Sequence, residues 1–193
     1  LTLTRGEKIT SGMDPRLNQS GCTLIVLAEW KAPVYQNAIT LITSSIRRNG
    51  PANIDSKIHH NNLINNILAK IEANNAGADD ALMLDNNGFV AETNACNILM
   101  IKNGMVFTPN ADACLPGITR KTVITLCQQN NIPIHLKNIS LAEMYNADQV
   151  FTTGTMGELT AVKMIDGRAI INRSGTDLLQ HINDLFRNLT LAL

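Results

Sequence analysis

Four short segments carry groups that could do chemistry, and they follow one another in a fixed order along the chain. Lys57 offers an amine, and Glu92 offers a single carboxylate at the end of an apolar run. The segments Leu115–Arg120 (LPGITR) and Thr153–Glu158 (TGTMGE) combine glycine with threonine. The backbone N–H and hydroxyl groups of such turns bind anions. Together these segments predict a site for a ligand that has a reactive carbonyl and a phosphate.

The lysine is interpreted through its place in the predicted secondary structure. Lys57 lies where a helix is expected to begin, directly after Asp55 and Ser56, which are typical capping residues. The amino-terminal end of a helix disfavours a cation, and partial burial disfavours the charged form of an amine. Both effects favour the neutral amine that attacks an aldehyde to form a Schiff base. Taken alone, however, a lysine is more often a solvated side chain.

The other three segments also have simpler readings when each is taken alone. Glu92 could be an ordinary strand-end carboxylate, and the two glycine-threonine turns could be a plain helix start and a strand connection. In a helix that begins near Gly117, however, the first backbone N–H groups lack intrahelical partners and can bind phosphate. A carboxylate that faces a pyridine nitrogen keeps that nitrogen protonated. The joint occurrence of the four segments therefore favours a site for pyridoxal 5'-phosphate (PLP).

The elements that must position these residues follow from the hydrophobic pattern and the turn signals. A helix is expected from the caps at residues 55–56 to Gly77, and helices are also expected at 119–130, after Ser140 and at 176–189. Strands outnumber helices, and hairpins alternate with longer connections, which indicates an α+β fold. The apolar face of the first helix is predicted to comprise Ile58, Leu63, Ile64, Ile67, Leu68 and Ile71. Strands are predicted at residues 22–30, 38–43, 81–85, 89–92, 97–102, 105–108, 132–137, 149–152 and 159–165.

Composition excludes several classes of function. The chain has 193 residues, 45% of them hydrophobic, with a formal net charge of zero and no basic run, so neither nucleic acid nor a membrane surface is an expected partner. Four widely spaced cysteines are typical of free thiols in a reducing compartment, which favours the cytoplasm, although a targeting segment would lie ahead of Leu1. The histidines lack metal-site spacing, and adjacent His59 and His60 are expected on different sides of a helix. No metal site is therefore predicted.

The quoted motifs resemble those of the fold-type IV PLP-dependent enzymes, which include branched-chain aminotransferases, D-amino acid aminotransferases and aminodeoxychorismate lyases. The similarity covers nearly the whole chain and is strongest over residues 54–168. Segments 115–120 and 153–160 are most similar to the branched-chain aminotransferases. The resemblance implies a D-amino acid aminotransferase-like fold, whose large domain is a β-rich pseudo-barrel with flanking helices, and a homodimer.

The resemblance also implies a role for each matching residue. Lys57 would form the Schiff base with PLP and move protons during the reaction, and Glu92 would hold the pyridinium nitrogen. The substrate carboxylate would dock at Thr155 and Met156. The residues that would bind PLP are Lys57, Glu92, Asn61, Ile118, Thr119, Gly154 and Thr155.

Two departures from the family pattern qualify these roles. Many branched-chain enzymes have a tyrosine five residues after the lysine, where this chain has Asn62. The arginine that clamps the phosphate comes from an amino-terminal small domain that is largely missing. We expect residues 1–30 to be the remnant of that domain, 31–36 a connector and 37–193 the PLP-binding large domain. On this interpretation the chain begins inside a longer protein.

Several functions are open at this point. The first is transamination of L-Leu, L-Ile or L-Val with 2-oxoglutarate, using amino acid and 2-oxo acid substrates. D-amino acid aminotransferase or aminodeoxychorismate lyase activity would use the same fold. A hypothesis of a different class is a non-catalytic fragment that only folds or dimerises, and a purely structural α+β domain is the simplest alternative.

Overall fold

The computed structural model describes residues 1–32 and 34–192, and the chain divides into two compact units, Leu1–Ala32 and Pro33–Leu193. In the first unit, β1 (Thr2–Thr4) pairs antiparallel with β2 (Thr23–Ile25), and a short 3-10 helix spans Pro15–Leu17. The prediction of a buried strand over residues 22–30 was wrong, because the strand ends at Ile25 and its residues are exposed. The apolar run that motivated it lacks partner strands over most of its length.

The second unit contains nine strands and four helices within the described residues. Its strands are β3 (Ile39–Thr43), β4 (Asp80–Leu84), β5 (Val90–Thr93), β6 (Asn97–Lys102), β7 (Met105–Thr108), β8 (Ile134–Leu136), β9 (Gln149–Gly154), β10 (Glu158–Ile165) and β11 (Arg168–Ala169). Its helices are α1 (Ile64–Asn75), α2 (Ile118–Gln129), α3 (Leu141–Tyr145) and α4 (Leu178–Leu191). The predicted α+β class is confirmed.

The nine strands form one sheet that curls back on itself. Its order is β5-β4-β3-β10-β9-β6-β7-β8, with β11 paired to β10. The pairs β3–β4, β3–β10 and β7–β8 are parallel, and the others are antiparallel. Strand β5 is at one edge and β6 lies five positions away, yet only residues 94–96 connect them. Such a short connection forces the edge to approach β6, so the end of β5 and the start of β6 lie close together.

Alternate residues along each strand supply two separate cores. On β6, Ile98 and Met100 pack with Val150 in a cluster that also contains Met144 of α3. Leu99 of β6 packs in a second cluster, which lies under α2 and α4. Its buried members include Leu99, Ile101, Val106, Val123, Leu126, Cys127, Ile132, Phe151, Ile182 and Phe186. Both faces of β6 are therefore buried, which explains its continuous apolar sequence.

Helix α1 departs most from the prediction. It begins at Ile64 rather than near residue 56, and its capping residue Leu63 makes no side-chain hydrogen bond. The backbone N–H of Lys57 bonds to Asp55 Oδ1 in a single turn that does not continue. Residues 59–62 are histidine and asparagine, which have weaker helix propensity than alanine or leucine. A loop therefore takes the place of the first turns of the expected helix.

The predicted apolar face of α1 was also wrong as a core face. The residues of α1 that are buried are Ala69 and Ala73, which pack on Ala81 and Met83 of β4. The predicted face is exposed, with exposed fractions between 43% and 64% for Ile58, Leu63, Ile64, Ile67, Leu68 and Ile71. Small residues thus face the sheet and large apolar residues face outward. Within residues 1–32 and 34–192, no helix has the length and apolar character needed to cross a membrane.

Candidate functional site

The site is built around the buried carboxylate of Glu92 on β5, which is 5% exposed. Arg48 Nη2 lies 2.6 Å from Glu92 Oε1, and the backbone N–H of Leu115 donates to the same oxygen at 3.4 Å. Asn97 Nδ2 donates to Oε2 at 3.1 Å. Burial raises the pKa of Glu92 to about 7, and the adjacent Arg48 guanidinium opposes that rise. The carboxylate is thus held in place by three donors, two of them at Oε1 and one at Oε2.

The backbone of β5 aims this side chain. The register of the β4–β5 pair shifts between Met83 and Leu84, which face Glu92 and Val90, so Ala91 is an extra residue on β5. A β-bulge of this kind redirects the side chains beside it and is common next to active sites. Val90 packs in the hydrophobic cluster that contains Ile98 and Met100, while Glu92 lines two cavities.

Arg48 connects the carboxylate to two other elements. Its backbone N–H bonds to Leu84 O of β4 at 2.9 Å, and its Nη1 donates to Asn66 Oδ1 of α1 at 2.8 Å. Asn66 Nδ2 in turn donates to Asn94 O at 2.7 Å. Among the described residues, Arg48 Nε has no hydrogen-bond partner. Arg48 therefore links the Glu92 carboxylate to β4 through its backbone and to α1 through its guanidinium, and Asn66 extends this network to the turn after β5.

The first anion-binding turn lies at the start of α2. Gly117 is the capping residue and provides no side-chain cap, so the first N–H groups of α2 are without intrahelical partners. Asn97 holds this turn against the carboxylate, because its Nδ2 also donates to Leu115 O at 2.7 Å. A Cβ on Gly117 would clash with Asn97 Oδ1. Glycine is thus needed here for the close approach of the turn to Asn97, at a φ of −62° that any residue can adopt.

The second anion-binding turn continues from the end of β9. A Cβ on Gly154 would lie 2.9 Å from Cys96 Sγ, so glycine again permits close packing. Thr153 is 2% exposed, and its Oγ1 is buried with no hydrogen-bond partner among the described residues. An unpaired buried hydroxyl costs about 1–3 kcal/mol. This hydroxyl and the α2 N–H groups are therefore available to a ligand.

Both turns and the carboxylate line one cavity of about 250 Å³. Donors for an anion lie at the α2 start and the 153–155 turn, and an acceptor for an N–H lies at Glu92 Oε2. PLP has a phosphate and a ring nitrogen and would meet both kinds of group. The residues present fit the cofactor. The cavity is lined by His59, Glu92, Ala95, Cys96, Asn97, Leu115, Gly117, Ile118, Thr119, Thr153, Gly154 and Thr155.

Two more cavities border this one. A cavity of about 210 Å³ also contains Glu92 and His59 and extends to Arg48 and Asn66. A cavity of about 390 Å³ shares the 154–155 turn and extends to Lys70. The predicted substrate residues Thr155 and Met156 both line the larger cavity and both are exposed. The structure therefore groups the predicted residues Glu92, Ile118, Thr119, Gly154, Thr155 and Met156 around connected space.

The structure does not place Lys57 with this group. Its side chain is exposed and lines neither cavity that contains Glu92, and the same is true of Asn61. His59, two residues further along the loop, lines both of those cavities. The expectation that His59 and His60 face different sides of a helix was wrong, because the segment is not helical and both line the 210 Å³ cavity.

Sequence reasoning missed Arg48 and Asn97, and it included Thr153 only as part of the second anion-binding turn. Each acts through a contact with a residue distant in sequence or through burial, which a local pattern does not reveal. The signals in the sequence were an arginine pair that begins four residues after the last residue of a strand and an asparagine at the start of a strand. Among the described residues, no group of three or more His, Cys, Asp or Glu side chains could hold a metal ion.

Comparisons with known proteins agree with this geometry. Residues 1–165 match the family described as amino-transferase class IV. The chain is 58% identical over 192 residues to branched-chain-amino-acid aminotransferase-like protein 2 of Arabidopsis thaliana, which covers 98% of this chain and 34% of that protein. The chain thus spans about a third of the length of this curated relative.

Two solved structures share the fold. The branched-chain aminotransferase of Thermoproteus uzoniensis with norvaline has a TM-score of 0.76 at 33% identity, covering 81% of this chain and 52% of that one. An aminotransferase of Brucella abortus bound to the cofactor PLP has a TM-score of 0.77 at 28% identity, covering 83% and 57%. The predicted fold is confirmed by these similarities.

Proposed function

The chain belongs to the class IV aminotransferase family, and from this membership we propose that it acts in PLP-dependent transamination of a branched-chain amino acid with 2-oxoglutarate. The observation that carries the proposal is the cavity of about 250 Å³, which is lined by Glu92 and by two turns that offer donors to a phosphate, with Glu92 Oε2 accepting from Asn97 Nδ2. PLP bound in the structure of the Brucella abortus relative supports the same cofactor.

When bound, PLP supplies an aldehyde for amines and a ring that accepts electrons from the substrate Cα. Glu92 holds the ring nitrogen protonated, and the N–H groups of Ile118 and Thr119 bind the phosphate together with Thr155. Asn61 supports the lysine segment. Lys57 would supply the amine that holds the cofactor and would move a proton at the substrate Cα. Because the Lys57 side chain is exposed, we infer that the loop of residues 55–62 moves inward when the cofactor binds.

The larger cavity supports an aliphatic substrate. It measures about 390 Å³ and is bordered by Val34, Tyr35 and Met156. The backbone N–H groups of Thr155 and Met156 dock the substrate carboxylate in this proposal. The name of the Arabidopsis relative and the norvaline in the Thermoproteus structure agree with a side chain made of carbon and hydrogen.

We also propose that two copies of the chain associate. Five large apolar side chains follow one another along α1 and the residue before it at a helical spacing, and all are exposed. An exposed apolar stripe of this kind is typical of an interface. We further propose a reducing, cytoplasmic setting, since all four cysteines are free. The stripe consists of Leu63, Ile64, Ile67, Leu68 and Ile71.

The experiment that tests this function combines a PLP titration with amino-donor assays. We expect the protein to develop a Schiff-base absorbance band with PLP and to react with L-Leu, L-Ile or L-Val in the presence of 2-oxoglutarate. Reaction with D-Ala alone would assign a D-amino acid aminotransferase. Release of pyruvate from aminodeoxychorismate alone would assign a lyase. Either of these two outcomes would contradict the proposed substrate.

A second function is favoured by the exposed position of Lys57. If the lysine does not reach the cavity, the chain binds PLP without a covalent bond or not at all. A titration that quenches protein fluorescence but produces no Schiff-base band would identify this non-catalytic binding. Analytical ultracentrifugation of the same samples would then show whether association of two copies is its main property.

A further inference from the structure

Arg48 is an unusual residue to find at the edge of this site. It lies in the loop after β3 rather than in a segment with recognised chemistry, and yet it is 7% exposed. Its side chain and that of Glu92 are 8% and 7% exposed, respectively. Arg47, its neighbour, is exposed; its Nη1 donates to Ser44 O at 3.4 Å, and its backbone carbonyl accepts from Asn65 Nδ2. A buried arginine is expensive unless it is paired, so its position requires the Glu92 carboxylate.

The pairing divides the two oxygens of Glu92. Arg48 Nη2 and the N–H of Leu115 both lie against Oε1, whereas Oε2 accepts from Asn97 alone within residues 1–32 and 34–192. A carboxylate oxygen can accept two hydrogen bonds. Oε1 is therefore satisfied within the protein, and Oε2 retains capacity toward the cavity. The same guanidinium fixes Asn66 of α1, so the orientation of the carboxylate depends on several elements at once.

Resting on the proposed function, we propose that Arg48 is a positioning residue for the cofactor, because it fixes Glu92 with room for a second hydrogen bond at Oε2 and keeps the carboxyl ionised for the ring nitrogen. Burial alone would leave Glu92 neutral, and a neutral carboxyl cannot form an ion pair with a pyridinium. Arg48 does not touch the reacting atoms and acts only through Glu92. Arg47 has the same charge but does not contact the carboxylate.

Other groups around Glu92 could contribute to its charge. Arg120 of α2 is buried but donates to Thr108 Oγ1 and Pro109 O, so its bonds are directed away from the carboxylate. Arg48 is the cation in direct contact, and its field has the larger lowering effect on the pKa of Glu92. The remaining titratable groups near Glu92 are Arg120, His59, His60, Cys96 and Cys114.

The test follows the Glu92 carboxyl directly in the cofactor-free protein. In isotope-labelled protein, the carboxyl resonance of Glu92 is assigned as the one that disappears in Glu92→Gln. Its chemical shift is then measured as a function of pH in wild type, Arg48→Met and Arg47→Met. We expect the midpoint in Arg48→Met to rise by about one to three pH units, as for any carboxylate that loses an adjacent cation. The midpoint in the matched control Arg47→Met should stay within about 0.3 units of wild type, because an exposed charge is screened by water.

A folding failure of Arg48→Met does not prevent a decision. In wild type, the guanidinium resonances of Arg48 should shift with the same midpoint as the Glu92 carboxyl, because the pair titrates together. In Arg48→Lys, which keeps the charge but loses the second donor to Asn66, PLP affinity should fall less than in Arg48→Met.

The inference would be overturned if the titration midpoint of Glu92 were the same in folded Arg48→Met as in wild type. It would also be overturned if the Arg48 resonances of wild type did not shift at the pH where Glu92 titrates. This outcome is separate from failure of the proposed function. If wild type binds no PLP, the proposed function fails, and the carboxyl titration still decides whether Arg48 controls Glu92.

Discussion

Glu92 and Lys57 lie in opposite kinds of surroundings. Glu92 is buried on a strand, is in contact with three donors and is paired with an arginine that also bonds to β4 and α1. Lys57 is exposed in a loop, and its backbone N–H donates to Asp55 Oδ1. In the proposed function, the buried side of the site would hold the cofactor ring, and the exposed loop would carry the lysine that bonds to the cofactor.

This difference has a physical basis. A strand in a curled sheet opens only with the global fold, whereas an exposed loop opens at a small fraction of that free energy. Preorganised charge is most useful at a group that stays in one place through the reaction. The contrast predicts that substitutions of Glu92 and the residues packed around it lower the free energy of unfolding, whereas substitutions in the loop that carries Lys57 do not. The following predictions run from the largest expected change to the smallest.

Replacing Glu92 with alanine should have the largest effect on stability. The change leaves the Arg48 charge buried and unpaired, which costs about 3–5 kcal/mol. Urea unfolding measures the loss, and Asp112→Ala, an exposed carboxylate, serves as the control with an expected change below about 0.5 kcal/mol. Equal free energies of unfolding for Glu92→Ala and Asp112→Ala would contradict the claim that the buried pair with Arg48 stabilises the protein.

The stability contribution of Glu92 should also depend on pH. Burial raises its folded pKa to about 7, above the value of an unfolded glutamate. A raised pKa means that the contribution is fully present below about pH 4.5 and is lost as the pH rises through 7. Relative to Glu92→Gln, the free energy of unfolding of wild type should therefore fall by up to about 3 kcal/mol between these pH values. A constant difference between the two proteins across this range would show that the carboxyl does not titrate there.

Gly117→Ala should have an intermediate effect on the free energy of unfolding. The new methyl group clashes with Asn97 Oδ1, so the link between the α2 turn and Glu92 must shift. We expect a loss of about 1–3 kcal/mol, as for other overpacking substitutions. Gly50→Ala is the matched control, because its nearest atom lies at an ordinary 3.6 Å. A similar thermal midpoint for both alanine variants would indicate that the turn does not depend on close packing.

Lys57→Ala should have the smallest effect on stability. The side chain is exposed, so the free energy of unfolding should stay within about 0.5 kcal/mol of wild type. Chemical denaturation of the two proteins side by side is the measurement. A loss above about 1 kcal/mol would mean that the lysine is already packed in the folded protein, and the contrast with Glu92 would then be weaker than we describe.

The elements that sequence predicted well depend on local chemistry. Asn103 and Gly104 both have positive φ, as a tight hairpin requires, and the strands on either side, 97–102 and 105–108, match the prediction. The helix expected after Ser140 is present as α3, and Ser140 and Glu143 form a capping box at its start. In such cases the signal and the structure involve the same few residues.

The elements that sequence missed depend on distant partners. The start of α1 was misplaced because capping residues at 55–56 look sufficient locally, while the loop of residues 59–62 has weak helix propensity. The Arg48–Glu92 pair joins two segments that meet only after the sheet has formed. Its place in the site could not be read from a local pattern.

The most direct test of the PLP-site proposal identifies the residue that bonds to the cofactor. The protein is incubated with PLP, reduced with borohydride and digested, and the modified peptide is located by mass spectrometry. We predict that the pyridoxyl group lies on Lys57 and that Lys57→Ala is unmodified. Modification of Lys70, which lines the larger cavity beside Thr155, or of no lysine at all would contradict the account.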